Sequence, residues 1–422
     1  MAEAEALRAA PVDRPTQTAG AAPADRPEPA DRHAIVIGAG LAGAAACERL
    51  AARGWSVTLI ERCASAAQQA SGNLAGIFMP LLAQDDNPTV RLSRAALPFA
   101  LARWQALGGL GDRLTGAQCG VLQLARDAQH AEAQRRIARS GRWPESEARW
   151  LESGAASELG ATAPHGAWLF AQGGWAHPAA VCAAMLEACG QRLTRVFSRT
   201  VPAIRREGGQ WQALDAEGGV IAAAPVLILA NGTGATDIAQ AAGLPLAAVR
   251  GQVTHLDEGV LPAPPSGLVL CREAYMTPSS NGVVCVGATY DDDADPGLRE
   301  DSQRQNLARV ASMLGVAAPD APLAGRTGFR CVAPDRLPLV GALPDDGVVA
   351  RPGGGAIERL RDVARHPGLY GLLGYASRGL TWAPLMAELL ACQLEHQAGP
   401  LDAKLVAALD PARFLLKRLR RL

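Results

Sequence analysis

The first apolar run of the chain, Ala34-Ile35-Val36-Ile37, does not alternate with polar residues, which predicts a strand buried on both faces. Small residues then recur at helical spacing from Leu41 to Arg53, and Ser56 to Glu61 predicts a second strand, so structure begins on a βαβ unit. From about Leu97 to Arg149 the pattern is rich in Arg and Ala with helical spacing. Gly173 to Pro178 then opens another helix, with Pro178 suited to its first turn. Trp211 to Leu214 and Val226 to Ala230 predict further sheet. Gln252 to His255, Gly267 to Leu270 and Gly282 to Val286, separated by turn residues, predict an antiparallel sheet in a second domain. From Gly325 onward come a Gly-rich strand and turn, a strand at Leu369 to Gly374 and a helix from Thr381 to Glu395. Residues 1–31, rich in Ala and Pro without a hydrophobic period, read as a disordered tail.

At 422 residues and 49% hydrophobic content the chain can bury more than one core, which excludes general disorder. Basic and acidic residues balance at 41 each, so there is no global positive field, and any nucleic acid must be held by a local patch. The nine cysteines form no C-x-x-C pair and no H-E-x-x-H is present, so no metal site is expected; reduced thiols fit a cytoplasmic protein. Acids near the N-terminus and the lack of an apolar run there argue against a secretory signal, and no stretch is long enough to span a membrane.

The chemistry enters with Gly38-Ala39-Gly40-Leu41-Ala42-Gly43, a G-x-G-x-x-G placed between a predicted strand and a predicted helix. Gly38 permits the sharp turn, Gly40 lets backbone approach a pyrophosphate, and Gly43 lets helix and strand pack closely. The helix N-terminus adds amide donors and the positive end of a dipole. Glu61 ends the second strand about 20 residues on, followed by Arg62. A carboxylate there accepts a ribose hydroxyl and repels a 2′-phosphate, which favours FAD or NAD over NADP.

Later segments choose between them. The chain resembles the D-amino-acid-oxidase and glycine-oxidase group of flavoenzymes, and within it the FAD-dependent oxidoreductase module of the MnmC family of tRNA wobble-uridine modification. Beyond the first unit the likeness rests on Ala70-Ser71-Gly72-Asn73, Gly173-Gly174-Trp175, Ala230-Asn231-Gly232 and Gly251-Gln252-Val253. It continues through Tyr275-Met276-Thr277-Pro278, Gly328-Phe329-Arg330-Cys331 to Pro338-Leu339-Val340-Gly341, Ser377-Arg378-Gly379-Leu380 with Ala383-Pro384, and Ala408-Leu409-Asp410-Pro411.

The resemblance implies an α/β fold, a Rossmann-like FAD-binding domain (residues 32–95, 166–245 and 326–400) with an inserted mixed or antiparallel-sheet substrate domain (96–165 and 246–325) and a basic C-terminal segment, 401–422. It implies non-covalent FAD held by the Gly-rich turn, Glu61 and Arg62, with Ser71, Gly72 and Asn73 against pyrophosphate and isoalloxazine. Ala230 and Gly232 would lie at the adenine side, and Ser377, Arg378, Gly379 and Leu380 at the flavin pyrimidine edge. Arg330 matches the family arginine that grips a substrate carboxylate, and Tyr275 the tyrosine that closes over it; His177 and His255 have no such counterpart and are read as structural or exposed. The implied substrate is the carboxymethylaminomethyl arm of a wobble 2-thiouridine in tRNA, oxidised by FAD and hydrolysed to the aminomethyl form and glyoxylate.

The bifunctional members carry a methyltransferase module ahead of this one, whereas only a short segment precedes His33 here. The expectation is therefore a stand-alone oxidoreductase, with any methyl transfer left to a separate methyltransferase. Arg413, Lys417, Arg418, Arg420 and Arg421 follow Asp410 without an acid and could contact tRNA phosphates, or form a solvated basic tail. Two other functions remain open at this point: an oxidase of glycine, sarcosine or another small amino acid, and a non-catalytic flavin-binding RNA partner.

Overall fold

A computed structural model describes residues 32–263, 266–321, 323–348 and 357–420. The expected tail, 1–31, and Arg421 lie outside the described residues. The first layer is a six-stranded sheet in the order Leu339–Pro344, Arg365–Leu373, Val226–Leu229, His33–Ile37, Ser56–Ile60, Leu193–Val196. All neighbours are parallel except the first pair. Its central strands, Val226–Leu229, His33–Ile37 and Ser56–Ile60, carry apolar runs because both faces are covered there. On one face Val36 and Leu59 pack under the helices Leu41–Ala51, Pro178–Ala188 and Gly379–Leu394. On the other, Ile35, Leu227 and Leu229 meet Ile204, Trp211 and Ala213 of a three-stranded antiparallel sheet. The strand expected at Trp211 to Leu214 therefore forms, but as a cover on the main sheet.

The second layer system is an eight-stranded sheet in the order Ala324–Val332, Ala247–Asp257, Val283–Gly287, Tyr275–Met276, Val269–Cys271, Val121–Leu124, Ala167–Phe170, Arg149–Leu151. The helix Glu300–Leu314 covers one face through Leu307, Val310 and Met313. The stretch from Leu97 to Arg149 is less helical than its spacing predicts. Helix Pro88–Ala106 buries Leu97, Ala100 and Trp104 in the core of the first domain, and strands at Val121–Leu124 and Arg149–Leu151 flank the helix Ala128–Arg139. Residues 326–332 and 167–170, expected on the cofactor side, pair into the eight-stranded sheet. Among the described residues no helix is long and apolar enough to cross a membrane, and no group of three or more His, Cys, Asp or Glu is placed to hold a metal.

Candidate cofactor and substrate site

The first strand ends at Gly38, whose φ of +101° is open to glycine, and a Cβ there would fall 2.7 Å from the Ala230 carbonyl oxygen. A Cβ on Gly43 would run into the Gly38 carbonyl, so helix and turn pack only because both positions are glycine. The helix Leu41–Ala51 starts at Gly40 with no side-chain cap, and Ser71 Oγ accepts the Leu41 amide at 3.1 Å. Glu61 is buried and already engaged: Oε2 accepts the Ala39 amide at 2.7 Å and Oε1 the Cys63 amide at 2.9 Å. Each carboxylate oxygen keeps a second lone pair, so this turn-fixing role and a ribose hydroxyl are compatible. Arg62 is exposed.

A second helix N-terminus comes to the same place. A Cβ on Gly379 would lie 3.0 Å from Leu41 Cδ1, and one on Gly76 2.7 Å from Leu380 Cδ1, so Gly379–Leu394 begins beside the N-terminus of the first helix. Two converging positive dipole ends, an uncapped Gly turn and a buried carboxylate fit a flavin dinucleotide. The residues around this turn that could hold it are Gly38, Gly40, Leu41, Ala42, Gly43, Glu61, Ser71, Gly72, Asn73, Ala230, Gly379 and Leu380. Gly232, at φ +59°, lies beside Cys331, and Ser377 is exposed. Arg378 stacks over Trp382 at 5.3 Å, and burial lowers its pKa.

Sequence reasoning missed Arg326. Its Nη2 donates to the carbonyls of Gln68 and Gln69, the latter at 2.6 Å, and Nη1 to Asn73 Oδ1 at 3.4 Å. A Cβ on Gly72 would sit 2.6 Å from Nη2. The strand Ala324–Val332 thus clamps the 68–73 loop, and at Gly72 a Cβ would meet the Ala67 carbonyl at 2.5 Å as well as this guanidinium. Arg326 has no acidic partner among the described residues, and burial lowers its pKa. The signal was the period-2 spacing Arg326, Gly328, Arg330, which puts both arginines on one face.

On that face Arg330 pairs across from Val249 and Arg326 from Val253 of the strand Ala247–Asp257. Arg330 Nη1 donates to the carbonyls of Arg250 (3.3 Å) and Thr289 (3.1 Å), leaving Nε and Nη2 without a hydrogen-bond partner among the described residues. Tyr275 donates a long bond, 3.4 Å, to the Ala75 carbonyl. Burial pushes its hydroxyl far above the ordinary phenol range, Cys285 adds to the rise and Arg330 opposes it. Tyr275 is therefore a neutral donor within electrostatic reach of Arg330. Tyr290, also missed, stacks on Arg330 with the guanidinium 4.0 Å from the ring centre. His255 lies further along the same strand, its Nε2 buried without a partner and its pKa lowered by burial and by Arg326.

The C-terminal segment is folded helix rather than a solvated tail. Leu415 and Leu416 of Arg413–Leu419 are buried with Ile357 and Val363. Arg413 is paired with Asp335 at 2.8 Å and bonded to the Leu337 carbonyl, which makes it a structural tether. Arg420 is partly engaged, Nε donating to the Glu358 carbonyl at 3.0 Å, while Lys417, Arg418 and Arg420 are exposed.

Comparison with known proteins places this architecture. The chain is 50% identical over 401 residues to the tRNA 5-methylaminomethyl-2-thiouridine biosynthesis bifunctional protein MnmC of Burkholderia thailandensis, covering 92% of this chain and 61% of that protein. The same-named protein of Burkholderia pseudomallei is 48% identical over 397 residues, covering 92% and 60%. The chain thus spans about three fifths of the length of these relatives. In fold it is similar to glycine oxidase from Geobacillus kaustophilus (TM-score 0.71, 21% identity, 90% of this chain and 98% of that one). It is likewise similar to iminodiacetate oxidase from Chelativorans sp. BNC1 (TM-score 0.71, 24% identity, 87% and 97%). A family model described as FAD dependent oxidoreductase matches residues 33–393, and with the dinucleotide cradle in place the chain belongs to this family, DAO, with FAD as its cofactor.

Proposed function

We propose that this oxidoreductase acts in tRNA wobble-uridine modification, removing the carboxymethyl group of 5-carboxymethylaminomethyl-2-thiouridine to leave 5-aminomethyl-2-thiouridine and glyoxylate. The observation that supports it most is the 50% identity, across nearly the whole of this chain, to a protein named for that modification. The site chemistry agrees. The substrate arm carries a secondary amine, a methylene and a carboxylate. The free Nε and Nη2 edge of Arg330 can take both carboxylate oxygens in parallel charge-assisted bonds. Tyr275, neutral and weakly bonded to Ala75, can turn its hydroxyl to the same group. This grip would fix the methylene in place. When bound, FAD would supply the two-electron acceptor for the methylene C–H bond, which breaks as hydride while the amine gives up a proton and the carbon–nitrogen double bond forms. The substrate imine left behind takes up water and separates into amine and glyoxylate. The amine suits a methyltransferase as its next partner, and exposed Lys417, Arg418 and Arg420 suit tRNA phosphates.

Anaerobic mixing of the FAD-loaded protein with tRNA from cells blocked at the carboxymethylaminomethyl stage tests the reading. Bleaching of the flavin by that tRNA, and far less by glycine or sarcosine, supports it. Faster bleaching by the free amino acids replaces it with a small-amine oxidase, and no bleaching by either leaves a non-catalytic flavin protein. Arg330→Ala should cost roughly 1.5 to 3 kcal/mol of transition-state binding, one to two decades in kcat/KM.

A further inference from the structure

Tyr290 is the most exposed large hydrophobic side chain among the described residues, at 65%, yet its backbone is held from both sides. Arg250 and Asp291 exchange backbone hydrogen bonds at 2.9 and 3.0 Å. The fully buried Arg250 guanidinium also grips Asp291 Oδ2 at 2.8 Å, and Thr289 Oγ1 is fixed between the Gln252 amide (3.1 Å) and Asp291 (2.9 Å). The loop that follows is closed by Arg299 on Asp293 and Asp295, at 2.8 and 3.1 Å. A single exposed aromatic is ordinarily without significance. One presented by a buried arginine clamp, with the substrate-gripping guanidinium 4.0 Å from its ring centre, is a preorganised surface.

Resting on the proposed tRNA reading, we infer that Tyr290 is the stacking platform for the pyrimidine ring of the substrate and thereby sets selection for a nucleoside-borne arm over a free amino acid. The arm itself supplies the distance argument. Four bonds separate its carboxyl carbon from ring C5, a reach of roughly 5 Å at ordinary bond lengths. A carboxylate held by Arg330 therefore brings the base into the neighbourhood of the ring that Arg330 already touches. Aromatic and guanidinium planes are the surfaces on which splayed-out RNA bases are commonly stacked. A free amino acid has no group to occupy this surface.

The test uses the holoenzyme and its Tyr290→Phe and Tyr290→Leu variants in anaerobic single-turnover bleaching by the modified tRNA. A parallel titration with acetate, read from the flavin spectrum, reports the Arg330 grip alone. In Tyr290→Leu the half-saturating tRNA concentration should rise at least about tenfold, with limiting rate and acetate affinity within about threefold of wild type; Tyr290→Phe should keep all three. Equal weakening of acetate and tRNA in Tyr290→Leu would show that Tyr290 only props Arg330, and an unchanged tRNA half-saturation would remove it from recognition altogether; either overturns the proposal while leaving the tRNA reading intact. Wild-type flavin that modified tRNA does not bleach overturns the functional reading and this proposal with it.

Discussion

The guanidinium of Arg330 lies in the space that a side chain at position 251 would need: a Cβ on Gly251 would fall 2.5 Å from Arg330 Cζ. Gly251 has an ordinary extended backbone within the strand Ala247–Asp257, so its role is room rather than conformational freedom. Gly251→Ala should therefore fold while displacing the guanidinium. We expect kcat/KM to fall by about one to two decades, the same loss as for Arg330→Ala, and the double variant to be no worse than either single one. Additive losses in that double-mutant cycle would show that the two positions act separately.

Arg326 ties the 68–73 loop to the eight-stranded sheet, and Ser71 in that loop accepts the amide of Leu41 at the mouth of the Gly-rich turn. Arg326→Met should release the loop. The apo-protein is expected to bind FAD about ten- to a hundredfold more weakly, as befits loss of hydrogen bonds from a charged group, with Arg326→Lys intermediate. The readout is FAD fluorescence quenching on reconstitution. Unaltered affinity in the Met variant would mean that the loop is held without this clamp.

How far these sites could be read beforehand follows from where the information sits. Gly38, Gly40 and Gly43 were legible because their spacing and their place between strand and helix encode one local turn. Arg330 and Tyr275 stood out through their surrounding motifs, and the fold brings both into the eight-stranded sheet. Tyr290 and Arg326 were not, because their meaning arises only when Ala324–Val332 pairs with Ala247–Asp257 and brings the two arginines to the loops at 68–73 and 289–291. The strands Val121–Leu124 and Arg149–Leu151 were hidden for a related reason. Short apolar runs amid Arg and Ala carry no period that separates strand from helix, and pairing across the sheet decides. Conversely Arg413 looked available for RNA because its neighbours in sequence include no acid, whereas Asp335, far away in the chain, meets it in space.

That last contact shapes the test of tRNA docking. Removing everything after Asp410 would also remove Leu415 and Leu416 from a buried cluster, so loss of binding would say little about charge. Charge reversal at exposed Lys417 and Arg418 is cleaner. If these contact phosphates, the slope of log affinity against log salt should fall by about one for each contact removed, while the unfolding midpoint stays put. Arg413→Ala should do the opposite, lowering the midpoint with little effect on the salt slope. An unchanged slope in the Lys417→Glu, Arg418→Glu protein would move the docking surface elsewhere.

Glu388 supplies a pH-dependent contribution to stability. It lies on the helix Gly379–Leu394, where Arg53 bonds both its oxygens, at 2.5 and 3.1 Å, and Arg49 reaches it at 3.3 Å, locking this helix to Leu41–Ala51 behind the cofactor turn. Burial alone would raise its pKa, but the bonds from Arg53 and Arg49 win and hold the carboxyl below the usual carboxylate range. The folded state thus binds this proton less readily than the unfolded chain. Stability from Glu388 is complete above the ordinary carboxylate pKa of about 4.3 and is lost as pH falls through the lower folded value. Glu388→Gln should destabilise the protein at pH 7 by roughly 1.5 to 3 kcal/mol, and the gap to wild type should narrow steadily below about pH 5. Urea unfolding of both proteins between pH 3 and pH 7 measures it; a gap that does not change with pH would show that Glu388 contributes through packing rather than through its charge.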